Sequence, residues 1–150
     1  MIIDVENTRI AKLGKYLETI LEELNSKYKR INADFLGIDV NNYSLDKIPT
    51  ASTVSKWISG VEIHRDVYSF RSRMAYSQDT INNLLNIGFF EKFESIIKSN
   101  NKKGILPEIN GIQNIECLNC GTMNSADTNT AEFDIQIQIT YREEKTLWLK

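Results

Sequence analysis

The hydrophobic and polar positions of this chain fall into blocks of different period. Between 133 and 142, Phe133, Ile135, Ile137, Ile139 and Tyr141 alternate without error with Asp134, Gln136, Gln138, Thr140 and Arg142. A period of two marks a strand with one face on a core and the other on something wet. Near the opposite end, Ile10, Leu13, Leu17, Ile20, Leu21, Leu24 and Tyr28 recur at helical spacing, with Glu6, Lys12, Lys15, Glu18, Glu22 and Glu23 on the remaining surface. Asp4 or Asn7 is the expected cap of this helix. Gly14 lies inside it, costs about 1 kcal/mol relative to Ala, and is expected to admit a close neighbour.

A second helix is predicted to start at Ser77 and to carry Ile81, Leu84, Leu85, Phe89, Phe90, Phe93, Ile96 and Ile97. Gly88 is expected to kink it. Asn100, Asn101, Lys102, Lys103 and Gly104 form its predicted end, and Pro107 prevents resumption. Adjacent Phe89 and Phe90 cannot face one way on a helix, so one of them is expected to point away from the core toward a partner.

Three further strands are read at 35–40, 61–76 and 109–118. In the long one, Val61 and Ile63 share one parity while Tyr68, Phe70 and Met74 share the other. This predicts a bulge or bend near Arg65 and Asp66. Residues 41–44 read as a turn. The stretch 41–58, broken by Pro49, reads as an irregular, exposed excursion with Val54, Trp57 and Ile58 folding back. The polar stretch 121–130 reads as a loop, and 143–150 as a charged tail ending in apolar residues. The order is helix, strand, long strand, helix, strand, strand. It predicts a single α+β domain over 1–150: an antiparallel or mixed sheet of about four strands, with two main helices packed on one face.

Composition narrows the function classes. A chain of 150 residues with a net charge of −2 has one-domain length and no excess of cations to neutralise a phosphate backbone, so sequence-specific nucleic-acid binding is not expected. The cluster Lys27, Tyr28, Lys29, Arg30 suits a helix end. No apolar run approaches the roughly 18 residues of a membrane span. The start lacks a charged leader and a cleavage site, so a cytosolic product is expected.

Cys117-Leu118-Asn119-Cys120-Gly121 has the spacing of half a zinc knuckle, but His64 is the sole histidine and there is no third cysteine. A redox role requires a helix after the motif, and a Ser/Thr/Asn stretch follows instead. If 117–120 is extended, the two side chains point to opposite faces. A small zinc- or nucleic-acid-binding module using Cys117 and Cys120 is the reading from another class. His64 is expected in a strand, facing solvent or a partner. Asp34 and Asp39, like Glu22 and Glu23, read as surface charges. No nucleophile elbow, phosphate loop or paired histidines are present. The expectation is therefore no enzyme, no cofactor and no metal.

Four stretches carry a resemblance: the extended block 60–73; the helix around Leu84-Leu85-Asn86-Ile87-Gly88-Phe89-Phe90-Glu91-Lys92-Phe93; Lys103-Gly104-Ile105-Leu106-Pro107 leading into a strand; and 127–142, a small loop, Ala131-Glu132, then the alternating strand ending Tyr141-Arg142. In this order they resemble the phage minor capsid proteins of the tail-terminator kind, also found in phage-tail-like contractile bacteriocins. The resemblance covers about Trp57 to Arg142. It implies a small structural subunit of a virion or tailocin. Such a subunit forms a closed, typically hexameric ring on the head-proximal end of the tail tube, ends tube polymerisation and docks the neck or collar. The implied partners are further copies of itself, the tube protein, the sheath, and a neck, collar or head-completion protein, with assembly in the bacterial host cytoplasm. A neck or head–tail adaptor is the neighbouring alternative. The faces available for such contacts are Asp134, Gln136, Gln138, Thr140 and Arg142, the loop bearing Asn124 and Asp127, and Trp57.

Overall fold

A computed structural model describes residues 4–24, 31–33, 36–37, 42–49, 53–75, 80–119, 121–126 and 129–144. The expected strand at 35–40 lies mostly outside these residues; Leu36 and Gly37, which are described, are not in a strand. Tyr28, Asp34, Asp39, Ser77, Cys120, Asp127 and the tail 145–150 also lie outside them.

Asp4 accepts from the Glu6 amide and caps a single 3-10 turn, Val5–Asn7. Helix α1 follows (Arg9–Leu24), and it is Thr8 that caps it, its hydroxyl accepting from the Ala11 amide. The predicted stripe is the buried one: Leu13, Leu17, Ile20 and Leu21 are all at most 1% exposed. Strands β1 (Ile31–Ala33), β2 (Asn42–Ile48), β3 (Thr53–Lys56) and β4 (Val61–Ala75) come next. Helix α2 (Thr80–Lys103) precedes β5 (Ile112–Cys117), β6 (Thr122–Ala126) and β7 (Thr130–Glu144). The fold is α+β, two helices on an open, mixed sheet in the order β1-β2-β4-β7-β5.

Among the described residues the sheet has seven strands, not about four. The difference has a simple source. The two 15-residue strands β4 and β7 pair along their whole length, from Val61 opposite Glu144 to Ala75 opposite Thr130. Each is flanked by an interrupted strand. β2 and β3 both pair with β4, on either side of a break that begins at Pro49; β5 and β6 both pair with β7, on either side of a break at 118–121. Proline lacks the ladder donor, so β2 stops just before it. The stretch 41–58 is therefore not an exposed excursion: Tyr43 and Leu45 are buried at 0% and 1%. Trp57 and Ile58 do not fold back, being 50% and 94% exposed. Part of the expected loop at 121–130 is β6, exposed throughout.

The bulge predicted in β4 is absent. Its ladder with β7 is unbroken, and the helix-facing side chains are Glu62, His64, Asp66, Tyr68, Phe70, Ser72 and Met74, all buried. The apparent change of parity arises because three polar residues occupy the inward face at one end. His64, expected at the surface, is thus 7% exposed.

Both helices rest on this one face. Phe70 lies between Tyr43 and Phe93, with ring centroids 5.4 and 5.2 Å away and planes nearly parallel. Phe89 and Phe90 are both packed, Phe89 against Tyr43 and Phe90 against Phe133, so neither phenylalanine is the outward residue. Among the described side chains of α2, the exposed apolar ones are instead Leu84, Leu85 and Ile87. The helix runs through Gly88 without interruption and ends at Gly104 (φ +77°), where the Ile105 amide donates to the Asn100 carbonyl. Gly14 admits no close neighbour: a Cβ there would meet nothing within 4 Å.

Candidate functional site

Alternation in β7 sends its even residues to the face on which neither described helix packs. Asp134, Gln136, Gln138 and Thr140 are half-buried there beside their neighbours on β4, and Arg142 is exposed. The sheet thus brings five predicted interface residues together on one open face. Ser69 donates to Asp134 at 2.5 Å, Gln138 donates to Glu116 at 2.9 Å, and Arg142 donates to Glu144 at 2.8 Å. The Gln136 amide donates to the side chain of Asn119 across the β5–β6 break. Asn124, on β6, donates to Glu132 and sits at the margin of this face. Trp57 stands at its other end, where it lines a shallow depression with Val61, Ile63, Gln113 and Arg142.

The face is zoned. Toward the C-terminal end of β4, Arg71 pairs with Asp46 at 2.5 Å and with Glu132 at 3.5 Å, so β2, β4 and β7 are cross-linked by charge. Toward the N-terminal end the residues are Val61, Ile63, Val67 and Trp57, with Arg65 exposed among them. The alternating strand signalled the polar row, but the Asp46–Arg71–Glu132 set joins residues far apart in the chain and gave no sequence signal.

Beneath the same end of the sheet lies a second polar assembly that the sequence did not reveal. Asp66, 1% exposed, receives Arg9 Nε at 2.7 Å and the hydroxyls of Tyr68 at 3.2 Å and Tyr141 at 3.4 Å, with Lys47 Nζ at 3.8 Å. Arg9 also lies over the Tyr141 ring, 4.8 Å from its centroid. Burial first, and the Asp66 carboxylate second, raise the Tyr68 and Tyr141 hydroxyls above the ordinary tyrosine range. For Arg9, burial opposes the charge, but the bond to Asp66 outweighs it and the guanidinium is held more firmly protonated. Next to this group, His64 Nε2 lies 2.8 Å from Glu62 Oε1 and 3.7 Å from Glu143 Oε2, while Lys56 approaches Glu62 at 3.6 Å. The His64 ring stacks on Tyr141 at 5.5 Å. This network ties α1, β2, β3, β4 and β7 into one end of the molecule.

Cys117 is half-buried on the helix-facing side of β5, opposite Ile137. Among the described residues no group of three or more His, Cys, Asp or Glu side chains is arranged to hold a metal ion, and no described helix is long and apolar enough to cross a membrane. Compared with protein-family models and with curated proteins, the chain matches none.

Proposed function

We propose that this protein is a structural assembly subunit of a phage tail or phage-tail-like particle. It closes into a ring, typically of six copies, at the head-proximal end of the tail tube. There it ends tube polymerisation and presents a docking face to the neck or collar. It acts through surfaces, with no catalytic step. The observation that carries this reading is the pairing of β4 with β7. The described parts of the two extended stretches that resemble tail terminators, 60–73 and 127–142, are the central neighbours of one sheet and share its face opposite the two helices. A ring subunit needs two different contact patches. A half-buried polar face bounded by charge pairs suits a subunit that stays soluble before assembly.

Imaging of native particles, with this chain located by a fused tag or a specific antibody, tests the proposal. Density at the head-proximal end of the tube, in a closed ring, is the expected result. Density on the portal side of the neck, with none on the tube, would assign it instead as a head–tail adaptor. Free monomers that never associate with tubes would overturn both.

A further inference from the structure

The register of the ladders aligns two open edges of the sheet. Ile31 of β1 stands opposite Tyr43, Tyr43 opposite Ser72, Ser72 opposite Phe133, and Phe133 opposite Met123 of β6. One row of residues therefore crosses the sheet from β1 to β6. Among the described residues each of these two strands pairs on one side only. The unpaired side of a strand presents a row of amides and carbonyls that another extended strand satisfies. β6 is exposed at all five residues. The rest of its edge is closed: on β5 the Ile115 amide donates to the side chain of Asn101, near the end of α2.

Direction and face agree with the register. β1 is parallel to β2, and the β2–β4, β4–β7 and β7–β6 pairs are antiparallel, so β1 and β6 run in opposite directions. Copies set side by side with their strands aligned then meet in an antiparallel pair. Beside β1 a groove of about 380 Å³ opens against α1, lined by Ala11, Gly14, Ile31, Ala33 and Leu45 among others. Gly14 gives it room, since an added Cβ would meet nothing within 4 Å. A strand added to β1 lays its helix-side side chains along this groove. On β6 the helix side carries Met123, 47% exposed, opposite Phe133, which packs on Phe90 of α2. An unbranched methionine suits an irregular apolar groove.

We propose that the β6 edge of one copy pairs with the β1 edge of the next. Met123 enters the groove beside α1, and one sheet continues from subunit to subunit. Each copy offers a different edge on each side, so the contact is heterologous. The row that ends at Met123 runs on into Ile31 of the next copy with no step along the strands. A heterologous contact without rise closes into a ring, where one with rise climbs into a filament. The inference rests on the ring reading above and names the edges that join. A few main-chain bonds fall short of the roughly 800 Å² per partner of a standard interface, and the open face beside β6 completes the contact.

Disulfide trapping tests the joint. Within one chain Ile31 and Met123 lie four strand spacings apart, roughly 19 Å, beyond the roughly 7 Å between Cα atoms that a disulfide spans. A chain carrying both Ile31→Cys and Met123→Cys therefore links these two positions only between copies. Oxidised in its native state, it should give a ladder of covalent multimers at least tenfold above the wild-type chain, whose own cysteines set the background. Each single variant should stay at that background. Gly14→Leu, which fills the groove, should weaken self-association at least tenfold in sedimentation while the circular-dichroism spectrum stays native. Dimers from Met123→Cys alone, or no ladder from a double variant of native spectrum, would overturn the joint, and so would unchanged association in Gly14→Leu. Rings seen on tubes without the ladder sink this joint and leave the functional reading standing. The ladder in a protein that never reaches a tube end does the reverse.

Discussion

Arg9 Nε lies 2.7 Å from Asp66 Oδ2, so the first turn of α1 is fastened to β4, one of the two central strands. The two partners are not equivalent. The Arg9 side chain is 42% exposed and the Asp66 side chain 1%. Removing the carboxylate leaves a cation that can still reach water; removing the cation leaves a buried anion. Asp66→Asn should therefore cost about 1–2 kcal/mol, and Arg9→Met about 2–3 kcal/mol, from urea midpoints at pH 7. Equal costs, or a larger one for Asp66→Asn, would show that Lys47 and the two tyrosines alone sustain the charge.

Tyr68 donates to that same carboxylate, and its hydroxyl is raised above the ordinary value of 10.0 by burial and then by the nearby negative charge. A group whose folded value is raised gives stability that is fully present below the unfolded value and is lost as pH rises toward the folded one. Above pH 10 the unfolded chain releases this proton while the folded chain keeps it. Stability should then fall by about 1.4 kcal/mol per pH unit from this group alone. Tyr68→Phe should cost about 1 kcal/mol at pH 7, for the lost hydrogen bond, and the gap to wild type should close by pH 11. Urea midpoints at pH 7, 9 and 11 give the answer; a gap that stays constant with pH would contradict it.

Gly111 and the helical glycines Gly14 and Gly88 differ in what a side chain would meet. Gly111 has φ +75°, its carbonyl accepts from the Arg142 amide, and an added Cβ would lie 2.0 Å from the Arg142 carbonyl oxygen. Gly111→Ala should destabilise by about 2–4 kcal/mol, combining a left-handed backbone with a clash against the ladder. Gly14 and Gly88 sit in helices with open space where a Cβ would go. Alanine at either should stabilise by about 0.5–1 kcal/mol. Thermal melts of the three variants should rank with Gly111→Ala well below wild type and the other two above it.

Periodicity reported the elements that bury one apolar stripe and missed those that mix polarity on the inward face. α1 and β7 follow their patterns because each inward position is apolar. β4 concealed its continuity because Glu62 and His64 pair with each other on the inward face and Asp66 is satisfied by Arg9 and Tyr141, and no local pattern shows partners so far away in the chain. β2 was lost for a related reason. Its inward row is Tyr43, Leu45 and Lys47, and the lysine, followed by Pro49, disguised a half-buried strand as loop. The polar row of the candidate interface was legible from β7 alone. Its apolar end needed the turn at Trp57 to be placed beside Val61, Ile63 and Arg142.

The same core makes a sharp claim about α2. Phe93 is fully buried and stacks on Phe70 at 5.2 Å, while Leu85 on the same helix is 66% exposed. Phe93→Ala should cost about 3–5 kcal/mol. Leu85→Ala should cost the subunit no more than about 0.5 kcal/mol. A comparable loss of stability from both would mean that α2 is packed on two sides within the monomer.

The open face of β7 should separate folding from assembly. The side chains of Gln136 and Thr140 sit on the helix-free surface, and it is the Gln136 backbone that bonds Asn119. Lysine at both positions places two charges in the middle of the proposed contact face without disturbing the core. The subunit should keep its urea midpoint to within about 0.5 kcal/mol per substitution, yet lose ring formation and tube capping in electron micrographs, because like charges held against a neighbouring copy cannot be desolvated cheaply. Lys98→Glu, on the exposed side of α2, is the matched control and should leave both intact. Rings of unchanged abundance in the Gln136→Lys, Thr140→Lys protein would remove this face from the assembly.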